Sequence, residues 1–268
     1  MKMTYTTCAS CAYTTYTTLE PTGHEYVNDY CTKCEGHISA DGLIFVSNRD
    51  GTCYVMMGEF LGGDLIIPSR SPSGDVVTGI GRRAFYECES LTGVVIPDCV
   101  TTMGDRAFYR CINLSSVTIG SGITEISNRG FYKCSSLTEI TIPDNVTAIR
   151  AYAFINCIAL ESVTIGDGVE TLEADVFYNC YSLKTVRLGE KVNFIGYYAF
   201  YYCSALTDVY YGVDEYDAKN ISINKSNKLF LKATAHYTEH EHNIVYIEAL
   251  APTCREAGYE AYFGCEVC

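Results

Sequence analysis

Tryptophan is absent from the 268-residue chain, histidine occurs five times and proline six. Basic residues are also scarce, with 19 Lys and Arg against 32 Asp and Glu, a formal charge of -13. A surface of that sign repels phosphate backbones and anionic headgroups, so nucleic acid is not an expected partner. No apolar run approaches the roughly 20 residues that a membrane-spanning helix needs, and the opening MKMTYTTCASC has no apolar signal core. The chain as given is therefore expected to carry no membrane-spanning segment and no signal peptide. Catalytic patterns are missing too. There is no nucleophile elbow and no phosphate-binding glycine loop, and Gly62-Gly63 and Gly79-x-Gly81 lack a strand-loop-helix context. No enzymatic activity is expected.

What is abundant is apolar and aromatic surface: 48% of the chain is hydrophobic, with 23 tyrosines and 15 cysteines. This supports a sizeable core. Self-similarity organises it, because a period of 23 residues runs without an insertion from position 80 to position 211. Phenylalanine recurs at Phe85, Phe108, Phe131, Phe154, Phe177 and Phe200, cysteine three residues after each, and leucine three residues after that. The spacing A-F-x-x-C-x-x-L predicts an inward face on a short helical turn. The pattern then switches to alternation, with Val117 and Ile119 inward and Ser116 and Thr118 outward, as in a strand. Pro97-Asp98, Pro143-Asp144 and Gly166-Asp167 then mark tight turns. One such coil cannot bury its own apolar face, so stacked coils must share a core, giving an α/β-type repeat solenoid.

The units AFYRCINLSSVTI and GFYKCSSLTEITIPDNVTAI resemble the BspA-type branch of the leucine-rich repeat family. The resemblance implies a right-handed coil with a parallel β-sheet on the concave face and short helical turns on the convex face. It also implies an N-terminal cap hairpin at 41–79, six repeats at 80–211 and a C-terminal cap at 212–237. Members are typically surface or secreted proteins of bacteria, implicated in attachment. The implied role is therefore an extracellular or cell-surface, non-catalytic adhesion solenoid whose partner is a protein or glycan on host or bacterial surfaces. A rigid spacer presenting other domains of a longer protein is the alternative.

The outward strand positions form the candidate contact surface. Small polar residues fill its amino-terminal part, whereas Glu139, Thr164, Arg187, Asp208 and Tyr210 mark the carboxyl half as the expected ligand-binding region. Arg187 and Tyr210 are of the types that dominate interface energies. A second stripe, Tyr86, Tyr109, Tyr132, Tyr178 and Tyr201, follows the inward phenylalanines, and its plain reading is rim packing with the hydroxyl in water.

The repeat cysteines share the inward face and read as free buried thiols. The terminal ones differ. Cys8-x2-Cys11 and Cys31-x2-Cys34 have the spacing of a zinc ribbon, which places a Cys-rich module at 1–40 with one structural zinc ion and His24 as alternative ligand. Two local disulfides, or a loose reduced tail, are the competing readings. A partial Cys-rich module at 238–268 contains Cys254, Cys265 and Cys268, and its closing YFGCEVC aligns with the opening YTTCASC, as expected for a segment of a longer protein.

Overall fold

The computed structural model describes residues 42–58 and 62–239 in full. Elsewhere it describes only the backbone of short strands, at Tyr5–Cys8, Tyr13–Tyr16, Tyr26–Val27, Tyr30–Cys31, Gly36–Ile38, Ile244–Ile247 and Tyr262–Cys265. Met1–Tyr237 forms one compact unit and Thr238–Cys268 a second, in which Ile244–Ile247 pairs antiparallel with Tyr262–Cys265.

The first unit is a parallel β-solenoid of the leucine-rich repeat type. Leu43–Ser47 and Thr52–Met57 form an antiparallel hairpin, and Thr52–Met57 then pairs parallel with Val76–Ile80. From there each coil contributes a longer strand, such as Glu139–Ile142, and a two-residue strand, such as Ala148–Ile149. Longer strands stack on longer strands in strict register, as in Glu139↔Ser162 and Ser162↔Thr185, and short ones stack likewise. Alternation buries every second residue of the longer strands: Ile140, Val163, Val186 and Val209 are at most 2% exposed.

The third side of each coil departs from expectation. Where the sequence suggests a helical turn, the structure has a run of tight turns closed by i to i−3 bonds, such as Phe131 O to Cys134 N at 3.2 Å. Two residues per coil take left-handed backbone, one column running Arg83, Arg106, Arg129, Tyr152, Asp175 and Tyr198 and the other Glu87, Arg110, Lys133, Asn156, Asn179 and Tyr202. A side chain in that region costs about 1–2 kcal/mol. The flip turns the amide toward the next coil: Arg106 N–H donates to Asn128 O at 3.0 Å and Arg110 N–H to Tyr132 O at 2.7 Å. A helix would satisfy these amides within its own turn; here they form a third inter-coil ladder.

Beneath this ladder the six repeat phenylalanines are fully buried and stack ring on ring, with centroids 5.1 to 5.3 Å apart. The exit cap completes both columns. Phe230 stacks on Phe200 at 4.6 Å, and the buried Asn227 accepts from Phe200 N–H at 2.9 Å where a further coil would offer a carbonyl.

Both sheets are interrupted once. The longer-strand ladder stops at Ser116–Ile119 and restarts at Glu139–Ile142, while the short-strand ladder stops at Thr102–Met103 and restarts at Glu125–Ile126. The turns suggest why. At neighbouring steps a carboxylate accepts the amide of the residue 23 positions on: Asp98 from Ser121, Asp144 from Asp167 and Asp167 from Glu190. At the open step that position is Ser121, whose hydroxyl is too short to reach the Asp144 amide in the same way.

Candidate functional site

The outward residues of the longer strands form two columns whose carboxyl ends differ from the rest. One reads Thr141↔Thr164↔Arg187↔Tyr210↔His236 and the other Glu139↔Ser162↔Thr185↔Asp208↔Thr234. Strand register therefore puts a guanidinium, a phenol and an imidazole on successive strands. The Arg187 guanidinium lies 4.0 Å from the Tyr210 ring centroid, and the His236 ring stacks on the other side of Tyr210 at 4.3 Å and 11°. Asp208, two residues before Tyr210 on the same strand, closes the cluster with a 2.8 Å contact to His236 Nε2 and accepts a 2.7 Å hydrogen bond from Thr207 Oγ1. Those two bonds hold its carboxyl below the usual carboxylate range.

Of the expected contact residues, Arg187, Asp208 and Tyr210 are thus brought together and Thr164 adjoins Arg187. Glu139 is exposed but lies three strands from Asp208, about 14 Å at the usual strand spacing. His236 was missed as a member of this face. It follows Tyr210 by 26 residues rather than 23, because the cap inserts three, so the 23-residue period does not reach it.

The imidazole contacts Asp208, and no serine or cysteine is bonded to it among the described residues. Both faces of the Tyr210 ring are occupied, leaving its edge, the Arg187 fork and the Asp208 carboxylate for a partner.

The repeat cysteines are free, and from Cys111 to Cys203 each is fully buried, with its thiol on the phenylalanine carbonyl of the preceding coil, as Cys157 Sγ on Phe131 O at 3.2 Å. The tyrosine stripe is partly continuous: Tyr86, Tyr109 and Tyr132 stack at 4.8 and 4.5 Å, Ile155 interrupts it, and Tyr178 stacks on Tyr201 at 5.6 Å. The zinc set falls outside this picture. Cys8 and Cys31 sit on strands whose side chains are not described, and Cys11, Cys34 and His24 lie outside the described residues.

Among the described residues no helix is long and apolar enough to cross a membrane. Residues 78–207 match the BspA type leucine rich repeat region in six copies. None of the curated proteins matches the chain. Among solved structures, a leucine rich repeat protein of T. pallidum is 24% identical, with a TM-score of 0.60 over 75% of this chain and 98% of that one, a likeness that shows the fold. A leucine rich cell surface protein of Faecalibacterium prausnitzii is 28% identical, with a TM-score of 0.51 over 66% of this chain and 54% of that one. The chain thus spans about half the length of the latter.

Proposed function

We propose that the solenoid is a non-catalytic binding module of an extracellular or cell-surface bacterial protein, and that it holds a partner protein against the carboxyl half of its longer-strand face, the concave face of the family. The observation that carries this reading is the cluster of Arg187, Tyr210, His236 and Asp208, stacked and hydrogen-bonded in the free chain. Such preorganisation lowers the entropy lost on binding, and arginine and tyrosine are the side chains that most often anchor interfaces. The matched repeat family and the cell-surface description of the Faecalibacterium protein support the setting.

The test is a binding screen of the chain against immobilised extracellular matrix proteins and whole bacterial cells. For any partner found, Arg187→Ala with Tyr210→Ala is expected to weaken binding by at least about 2 kcal/mol, roughly thirtyfold. Unchanged affinity in a folded double variant would move the site, and a screen that finds no partner would favour the rigid-spacer role.

The amino-terminal cysteines carry a separate proposal: one structural zinc held by Cys8, Cys11, Cys31 and Cys34, supported by their paired C-x2-C spacing. Metal analysis of reduced protein is expected to find one zinc per chain. Mass spectrometry showing these cysteines oxidised in pairs would refute it.

A further inference from the structure

The interruption of the short-strand ladder coincides with a recess of about 320 Å³, at the lower end of the range for small-molecule sites. Its origin lies in one column of residues. The short Ser127 side chain keeps the floor low, whereas Arg150 and Glu173, at the same repeat position in the next two coils, raise a wall. Along that column each amide donates to the preceding coil: Gly104 to Ile80 O at 2.8 Å, Arg150 to Ile126 O at 2.9 Å and Glu173 to Ile149 O at 3.0 Å. Ser127 makes no such bond to Met103 O. A second column repeats the omission. Thr101, Thr147 and Glu170 donate to Thr78, Thr124 and Thr147, but Thr124 does not donate to Thr101. All four residues at the unmade bonds, Thr101, Met103, Thr124 and Ser127, line the recess.

The free protein therefore presents two backbone donors and two backbone acceptors across one small space. Protein interiors avoid such unpaired groups, so here they are left for water or a ligand. The side chains narrow the choice. The Arg150 guanidinium is already matched by Glu173 at 2.7 Å and by Glu125 at 3.0 Å, so its charge is not spare for an anion. Asp105 adds a carboxylate at the rim, and the chain carries a formal charge of -13. Anions are repelled. A purely cationic ligand could donate to the carbonyls and carboxylates but would leave both amides unpaired. A hydroxyl serves both needs, because it donates and accepts. We propose that this recess binds a neutral saccharide, with sugar hydroxyls accepting from the Thr124 and Ser127 amides and donating to the Thr101 and Met103 carbonyls and to Asp105. The site is separate from the Arg187 cluster, and the proposal does not depend on that reading.

Two measurements on the full chain test it. In the free protein, amide exchange at Thr124 and Ser127 is expected to run at least about tenfold faster than at Thr147 and Arg150, which hold equivalent ladder positions. Equal protection would show that the ladder is closed and overturn the proposal. Saturation-transfer NMR with glucose, galactose, mannose, N-acetylglucosamine, lactose and maltose, and with glucuronate and glucosamine as charged controls, reads the ligand class. A neutral sugar is expected to bind, to slow exchange at both amides, and to lose at least about tenfold in affinity in Thr124→Trp, which fills the recess from an exposed position, and in Asp105→Asn. The Arg187→Ala, Tyr210→Ala variant is expected to bind it unchanged. No binding by any neutral sugar, preference for a charged control, or full affinity in Thr124→Trp would each overturn the proposal.

Discussion

At the scale of single residues, the buried thiols are the most informative feature. Burial pushes the Cys157 thiol from 9.0 up to about 12, since a thiolate in the core would lose its hydration without gaining a counter-charge. Cys111 and Cys203 behave alike. A group whose folded pKa is raised contributes stability that is complete below its unfolded value and is lost as pH rises through the folded value. The solenoid is therefore expected to lose stability progressively above about pH 9, and Cys157→Ala to flatten that loss. At neutral pH the same variant should cost about 1 kcal/mol through the missing Sγ–H to Phe131 O bond. Denaturant melts across the window from about 9 to about 12 check both signs. An equal slope in variant and parent would mean that these thiols do not carry the effect. The inward position of cysteine was readable directly from sequence, because it shares a three-residue spacing with two residues that are always apolar.

At the scale of elements, the coil was legible and its third side was not. A constant 23-residue period fixes strand register, so the alternating positions from Glu139 to Tyr210 point where alternation says they should. Three-residue spacing of Phe, Cys and Leu, by contrast, is produced equally by a helical turn and by consecutive tight turns with i to i−3 bonds. The discriminating signal would have been glycine or asparagine at the left-handed sites. Arginine, lysine, glutamate and tyrosine occupy most of them, held there by inter-coil bonds rather than by intrinsic preference. The short strands escaped notice because two residues make no measurable alternation. The ladder interruption was hidden as well, since SVTI and EITI both read as regular strands; only the serine in the Asp98, Ser121, Asp144 column hints at it. Ser121→Asn, which offers an amide oxygen to the Asp144 N–H without adding charge, is expected to raise stability by about 0.5–1.5 kcal/mol. Slower exchange of the Asp144 amide would confirm the new bond, and unchanged exchange would place the cause of the interruption elsewhere.

At the scale of the whole molecule, stability in a stacked array is a sum over neighbouring coils, and its ends decide whether the array stays single. Phe230 occupies the place that the phenylalanine of a following coil would take, and Asn227 and Ser226 supply the acceptors that coil would have offered to Phe200 and Tyr198. The cap is thus a mimic of the next repeat, built from a different chain path. A docking surface made to receive a repeat will also receive one from another molecule once the mimic is loosened. Phe230→Ala is expected to destabilise the exit cap by about 3–5 kcal/mol and to cause concentration-dependent association, read by sedimentation. A destabilised but strictly monomeric variant would show that the exposed coil end is not adhesive. In evolutionary terms, an end that imitates its own repeat frees the number of coils from constraint: whole 23-residue units can be gained or lost upstream while the same terminator fits the last ring, so the reach of the protein can change in steps of one strand spacing.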